Sequence, residues 1–361
     1  MFPYFKVFID NESFTNILWY TDDQKHGFQR NGQIGEGLVS FCELELSALE
    51  EKLKELSGML LVSSNYDMIR NGIFDAAELL KGKHDYAFFF LVGALNNLLA
   101  TPVHFQEDIE ARKLEQLQSC IAILEGVPTL QEIFRYALHF CLDRDNLSHR
   151  TASERLVGFY FQFPDLSRFT VETGFAVAPV KKGALDYEKV REMNSQGITD
   201  TKQTLDAIHQ DRSKVSLLPY YHIRALDEML FFEFMEMLKR GIQVRRCRLC
   251  GRYFVLIDKR KREYCAKEYD GGKTCQEAGP LLRYGQRIGA DTYLQKFETE
   301  YNKVYSRFYR TDGKLDSERS GKDMTRAEFQ AWSKAASKAK ADYRKKLITG
   351  EKLLEIVRKG A

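Results

Sequence analysis

Four of the seven cysteines in this 361-residue chain, Cys247, Cys250, Cys265 and Cys275, fall within one short stretch. No other feature restricts the local fold as tightly. Cys247 and Cys250 are two residues apart, a spacing at which one tight turn aims both thiols at a common centre. Gly251 follows, where backbone wrapping around such a centre takes positive φ, and Tyr253 and Phe254 come next to cover it. Four soft thiolates are the ligand set of a closed tetrahedral Zn²⁺ site, with Zn–S of about 2.3 Å. The second pair has a longer spacer, residues 266–274, which must loop out before Cys275 returns to the centre.

A disulfide pair, a redox dithiol and chance clustering are the alternatives. Disulfide frameworks belong to small secreted chains, and the opening M-F-P-Y-F-K-V-F-I-D is too short and acidic-ended for a secretory signal. A redox C-x-x-C is expected beside a βαβ pattern, and none surrounds this one. The expectation is one structural Zn²⁺ held by Cys247, Cys250, Cys265 and Cys275. Cys42, Cys120 and Cys141 stand alone in apolar surroundings and read as small buried hydrophobes.

The length suggests about two domains. A hydrophobic fraction of 44% and an aromatic fraction of 12% are ample for a core. The most apolar stretch, residues 86–100, is shorter than the roughly 20 residues that span a bilayer, and Asn96 and Asn97 interrupt it. It reads as a buried helix, so no membrane partner is expected and the location is cytoplasmic.

The net charge of +3 conceals a division along the chain. Residues 1–240 carry 25 Lys and Arg against 35 Asp and Glu, whereas residues 241–361 carry 29 against 16. An acidic front joined to a basic back points to a polyanionic partner for the back. The sharpest candidates are the run Lys259, Arg260, Lys261 and Arg262 between the cysteine pairs, with Arg245, Arg246, Arg248 and Arg252 flanking the first pair. Such cations engage phosphates, which position a protein without specifying sequence. Duplex DNA is the favoured partner, and a solvated, unliganded hairpin tip is the bland alternative.

The periodicity predicts mainly α structure with minor β. A helical N-terminal domain is joined by a long helix to a small four-cysteine zinc knuckle and a C-terminal helical hairpin. The boundaries are an acidic, mostly helical domain with a few short strands over 1–215, a connecting helix over 216–244, a metal module over 245–280 and a basic helical tail over 281–361. Leu46, Leu49, Leu53 and Leu56 recur at three or four residues, an amphipathic helix. Further helices are expected over 74–100, 106–125, 129–142 and 151–161, with breaks at Thr101-Pro102 and Val127-Pro128. Strands are expected within 1–20 and 169–180, and a polar linker or arm over 181–214. Ile223, Leu226, Leu230, Phe234 and Met237 place a helix over 220–240. The tail holds a helix over 292–310 and a second one opened by the capping box Thr325-Arg-Ala-Glu328. The second helix has an inward stripe of Phe329, Trp332, Ala336, Ala339, Tyr343 and Leu347.

Catalytic patterns are weak. Gly271-Gly-Lys-Thr274 lacks the earlier glycine of a phosphate loop and reads as a turn, and Asp143-Arg-Asp-Asn146 lacks the glycine and distal glutamate of a calcium loop. His139 and His149, near Asp143 and Asp145, are the best leads for a hidden site.

The run from Leu230 through R-R-C-R-L-C-G-R-Y-F-V, Y-C and G-K-T-C-Q-E-A-G to the basic tail resembles an uncharacterised bacterial family of unknown function. Members of that family pair a variable helical N-terminal half with this C-terminal module. More remotely, the layout is similar to the CGNR-type zinc-finger regulators, whose helical, ligand-sensing front precedes a DNA-binding finger. The resemblance implies Cys247, Cys250, Cys265 and Cys275 as metal ligands. The chain departs from that group in carrying Gln276-Glu-Ala278 after the last ligand in place of G-N-R. Three functions follow as expectations. The first is a DNA-binding protein, in the manner of a transcription regulator, with a protein partner or small ligand at its front. The second is an interaction scaffold in which zinc fastens two domains, and the third is an enzyme with its site in the N-terminal half.

Overall fold

The computed structural model describes residues 5–10, 15–22, 26–62, 65–100, 109–146, 150–182, 184–195, 201–211, 214–256, 262–312 and 323–359. The chain is mainly helical with a minor sheet, and it divides into two units, residues 1–247 with 251–263, and residues 248–250 with 264–361.

The strands of the first unit are β1 (Phe5–Asp10), β2 (Thr15–Asp22), β3 (His26–Gln33), β4 (Glu172–Lys181), β5 (Ala184–Leu185), β6 (Val215–Ile223), β7 (Gln243–Arg246) and β8 (Tyr253–Leu256). Its helices are α1 (Glu36–Cys42), α2 (Ser47–Val62), α3 (Tyr66–Glu78), α4 (Asp85–Leu99), α5 (Ile109–Ala137), α6 (Ala152–Gln162), α7 (Tyr187–Ser195), α8 (Thr201–Asp211) and α9 (Leu226–Arg240). Six strands form one antiparallel sheet in the order β3-β2-β1-β6-β4-β5. β1 alternates as a two-sided strand should. Phe5 and Val7 enter the main helical core, where Phe5 stacks on Phe89 at 4.5 Å, and Phe8 joins a smaller cluster with Ala178, Leu185 and Val190 on the other face.

The main core is built from α1–α6 and α9. The leucine spacing of α2 works as expected, with Leu49, Leu53 and Leu56 buried. α9 is buried nearly all round, from Leu226 through Leu238, as its wide apolar arc requires. It begins later than residue 220, because Tyr221 and Ile223 belong to β6 and pair with Val7 and Phe5 of β1.

Other elements differ from the pattern reading for identifiable reasons. α5 runs unbroken through Pro128. An interior proline costs about 3 kcal/mol, but Leu117, Cys120, Ile121, Leu124, Val127 and Phe134 are all buried along this helix. At about 1.5–3 kcal/mol for each large side chain, that burial dominates. Residues 74–100 hold the end of α3 and all of α4, separated because the buried ring of His84 caps α4 by accepting from the Ala87 N–H. The expected linker over 181–214 contains β5, α7 and α8, with Val190 and Met193 buried.

The second unit contains β9 (Glu268–Asp270), β10 (Lys273–Thr274), α10 (Cys275–Gly289), α11 (Thr292–Thr311), α12 (Arg326–Arg344) and α13 (Gly350–Arg358). α11 and α12 form the antiparallel hairpin, as their ring pairs prove. Phe308 near the end of α11 stacks on Phe329 near the start of α12 at 4.0 Å, Tyr301 stacks on Trp332 at 4.9 Å, and Tyr293 meets Tyr343 at 6.4 Å. The Thr325–Glu328 capping box is formed. α13 adds a third member, with Leu353, Leu354 and Val357 in the same core and the Val357 carbonyl accepting from Trp332 Nε1 at 3.1 Å. Leu347 leaves the expected stripe and is exposed, because the chain turns away after α12 through Lys346 at φ 59°.

Candidate metal centre

The first half of the site is a turn closed by backbone hydrogen bonds. β7 and β8 pair as a hairpin, with Arg246 opposite Tyr253. Inside it the Cys247 N–H donates to the Arg252 carbonyl at 2.9 Å, and the Gly251 N–H to the Cys247 carbonyl at 2.9 Å. Gly251 sits at φ 73°, the left-handed conformation that a side chain would strain.

The second half comes from the β9–β10 hairpin and α10. Gly271 and Gly272, at φ 56° and 78°, make the tight reversal that the phosphate-loop-like tetrapeptide reads as. Cys275 is the first residue of α10, where a capping box holds it. The Thr274 hydroxyl accepts from the Glu277 N–H, and the Glu277 carboxylate accepts from the Thr274 N–H at 2.8 Å.

The four Sγ atoms of Cys247, Cys250, Cys265 and Cys275 lie within 4.8 Å of one another. Cys250 and Cys265 are 3.7 Å apart. A tetrahedron with metal–sulfur bonds of about 2.3 Å has edges of about 3.8 Å, and a disulfide would require about 2.05 Å. Cys247, Cys265 and Cys275 are buried. The donor set therefore fits a metal ion. The other three thiols are of a different kind, for burial raises all of them. Cys42 is driven far above the ordinary range, Cys120 is pushed up to about 11 and Cys141 to about 12.

The cations near the first pair have protein partners. Arg245 forks onto the Asp145 carboxylate at 2.8 and 2.7 Å and donates to the Arg262 carbonyl at 2.9 Å. The Arg246 guanidinium lies 4.7 Å from the centre of the Tyr253 ring. Arg248 is exposed, and Arg252 and Arg262 are half-buried. Lys259, Arg260, Lys261 and His149 lie outside the described residues.

Asp143, Arg144 and Asp145 follow a π turn, Leu138–Leu142, and grip the β7–β8 hairpin. The Arg144 N–H donates to the Val244 carbonyl at 2.9 Å, and the Tyr253 hydroxyl to the buried Asp143 carboxylate at 3.2 Å. Glu43 takes the Tyr253 N–H at 2.9 Å. His139 joins Asp143 at 3.5 Å and so takes part in this brace on the hairpin. Glu43 was not singled out by the sequence, and Tyr253 was singled out only as a cover for the site, not as a bracing group. The Thr274–Glu277 cap was also missed, although T-x-x-E is the signal that marked Thr325–Glu328.

Residues 199–359 match the model of a family of unknown function (DUF6076). No similarity to the CGNR-type regulators is shown. No curated protein and no solved structure matches the chain. Among the described residues, no helix is long and apolar enough to cross a membrane.

Proposed function

We propose that Cys247, Cys250, Cys265 and Cys275 hold one structural Zn²⁺, and that the basic C-terminal part of the chain binds a nucleic-acid backbone, with duplex DNA and a regulatory role as the leading case. The observation that carries the metal assignment is the four-thiol group. Four soft donors within 4.8 Å of one another suit zinc, and four protein ligands would leave no coordination position for a substrate or water. The surplus of 29 Lys and Arg over 16 Asp and Glu in residues 241–361 supports a polyanionic partner.

In this reading Arg245 and Arg246 also act as struts, and phosphate contacts are proposed for the basic set Arg245, Arg246, Arg248, Arg252, Lys259, Arg260, Lys261 and Arg262. The test is fluorescence anisotropy with duplex and single-stranded oligonucleotides across a salt series, before and after chelation. Binding should weaken by about 0.9 in the slope of log K against log salt for each duplex phosphate engaged, and Arg248→Glu with Arg252→Glu should flatten that slope. No binding to either oligonucleotide at low salt would overturn the nucleic-acid reading. A protein-interaction scaffold is the second reading, and the internal pairing of Arg245 and Arg246 favours it. It predicts that both substitutions leave partner binding intact.

A further inference from the structure

The α11–α12 hairpin carries a row of aromatic rings that runs from its core out to the surface. Phe297, Tyr301, Tyr305 and Tyr309 follow one another at four-residue spacing along α11, with ring centres 5.8, 6.4 and 4.6 Å apart. The first two are in or against the core, whereas Tyr305 is 43% and Tyr309 59% exposed. The neighbouring Tyr309 side chain pushes Tyr305 above the ordinary phenol range. Isolated exposed tyrosines need no explanation. A stacked row ending in two exposed rings is a platform.

The neighbouring side of α12 shows what the platform suits. Arg326, Ser333 and Lys340 recur every seven residues and so share a face, which also carries Gln330, Ser337 and Arg344. Two contacts show that this face borders the inner part of the row, at Tyr301 and Phe297. The Ser333 hydroxyl meets the Tyr301 hydroxyl at 2.7 Å, and the Lys340 ammonium lies 5.3 Å from the centre of the Phe297 ring and 4.7 Å from that of Tyr284. Arg344 lies 5.8 Å from the Tyr284 ring. The six α12 positions include three cations and no carboxylate. Glu298, beside the inner rings, is paired with Lys340. Rings bordered by cations match a ligand with flat apolar faces on an anionic chain. Unpaired nucleotides present such faces, and a duplex hides them in its own stack.

We propose that Tyr305 and Tyr309, with Arg326 and Arg344 exposed along the neighbouring α12 face, form a stacking site for unpaired nucleotides of a single-stranded nucleic acid. It rests on the nucleic-acid reading above and names the form of ligand that the hairpin takes. The experiment uses the full chain with its metal and measures anisotropy of a labelled oligothymidylate, an abasic oligomer of equal length and a duplex. The thymidylate should bind about ten-fold more tightly than the abasic chain for each stacked base. The Tyr305→Leu/Tyr309→Leu protein should lose that difference with its circular dichroism unchanged, and Tyr305→Phe/Tyr309→Phe should retain it. Equal affinity of the wild-type protein for thymidylate and abasic chain would overturn the proposal, as would an unaffected leucine variant. If duplex and abasic chains still bind in those cases, the broader reading stands and the stacking site alone fails. If no oligomer binds at low salt, both fall together.

Discussion

Removing the metal should release four thiols and no more, and the structure supplies the margin by which the other three stay silent. Only thiolate reacts with a chromogenic disulfide. At pH 8 a thiol at the ordinary value of 9.0 is about one-tenth ionised, Cys120 at about 11 is about one part in a thousand, and Cys141 at about 12 is about one part in ten thousand. Cys42 lies further still. Ionisation alone thus slows these three by about a hundred-fold or more, before the shielding of a core that burial makes nearly complete. The metal-loaded chain should show almost no fast thiol. Chelation should expose four, with one metal per chain reported by an indicator dye, and denaturant should bring the count to seven. Hydrogen exchange should change in step. The amides of Cys247, Gly251 and Cys275, each bonded within the knuckle, should lose protection, while α9 keeps its own. Three fast thiols on chelation would remove one cysteine from the ligand set. All seven would mean that metal loss melts the helical core, and an unchanged count would refute the metal centre altogether.

Replacing Tyr253 by Phe removes the hydroxyl that bonds buried Asp143 at 3.2 Å, and should cost about 1.5–3 kcal/mol in urea unfolding with faster metal exchange. Wild-type stability and exchange would show that the brace is idle. Gly37→Ala would put a Cβ 1.0 Å from the buried Tyr86 hydroxyl, which donates to buried Glu233 at 3.0 Å. Overpacking and the lost bond together should cost about 2–6 kcal/mol, and a shift below about 1 kcal/mol in the urea midpoint would contradict the packing. Glu154 is held below the usual carboxylate range by hydrogen bonds from the Thr151 backbone and side chain. The unfolded chain therefore binds the proton more readily. This stabilisation is present above the ordinary value of 4.5 and is lost as pH falls through the lower, folded one. Glu154→Gln should flatten the acid limb of a stability–pH curve, and an unchanged limb would exclude the effect.

The knuckle was legible because its chemistry is written in residue type at short range. Two cysteines around a tight turn, with a glycine behind them, admit few geometries. The leucine spacing of α2 and the capping box of α12 were legible for the same reason, since each is decided within a few residues. The sheet was not. β1 and β6 pair although more than 200 residues separate Phe5 from Ile223. β6 also contains Pro219 and runs straight into the helical period of α9, so a local window assigns its last residues to the helix. Pro128 misled in the opposite direction, because a local break signal was overridden by the burial of side chains on both sides of it.

Charge shows most clearly what a one-dimensional reading omits. Arg245, Arg246, Arg248 and Arg252 count equally in the sequence, yet Arg245 is forked onto Asp145 and Arg246 lies on the Tyr253 ring. A guanidinium already satisfied in a fork must break two charge-assisted bonds before it can bind a phosphate, so its contribution to a polyanion surface is small. On α12 the same count undervalues what is present. Lys340 is set aside by the same rule, being charge-paired with Glu298 and held over two rings, but Arg326 and Arg344 stay exposed on the face it shares. Periodicity explains why Tyr305 and Tyr309 were overlooked. The stripe that buries Phe297, Val304 and Phe308 leaves these two at its margin, where a helical count scores them neither as core nor as charge. A residue at such a margin can serve packing on one side and a ligand on the other, and only coordinates show which side is open.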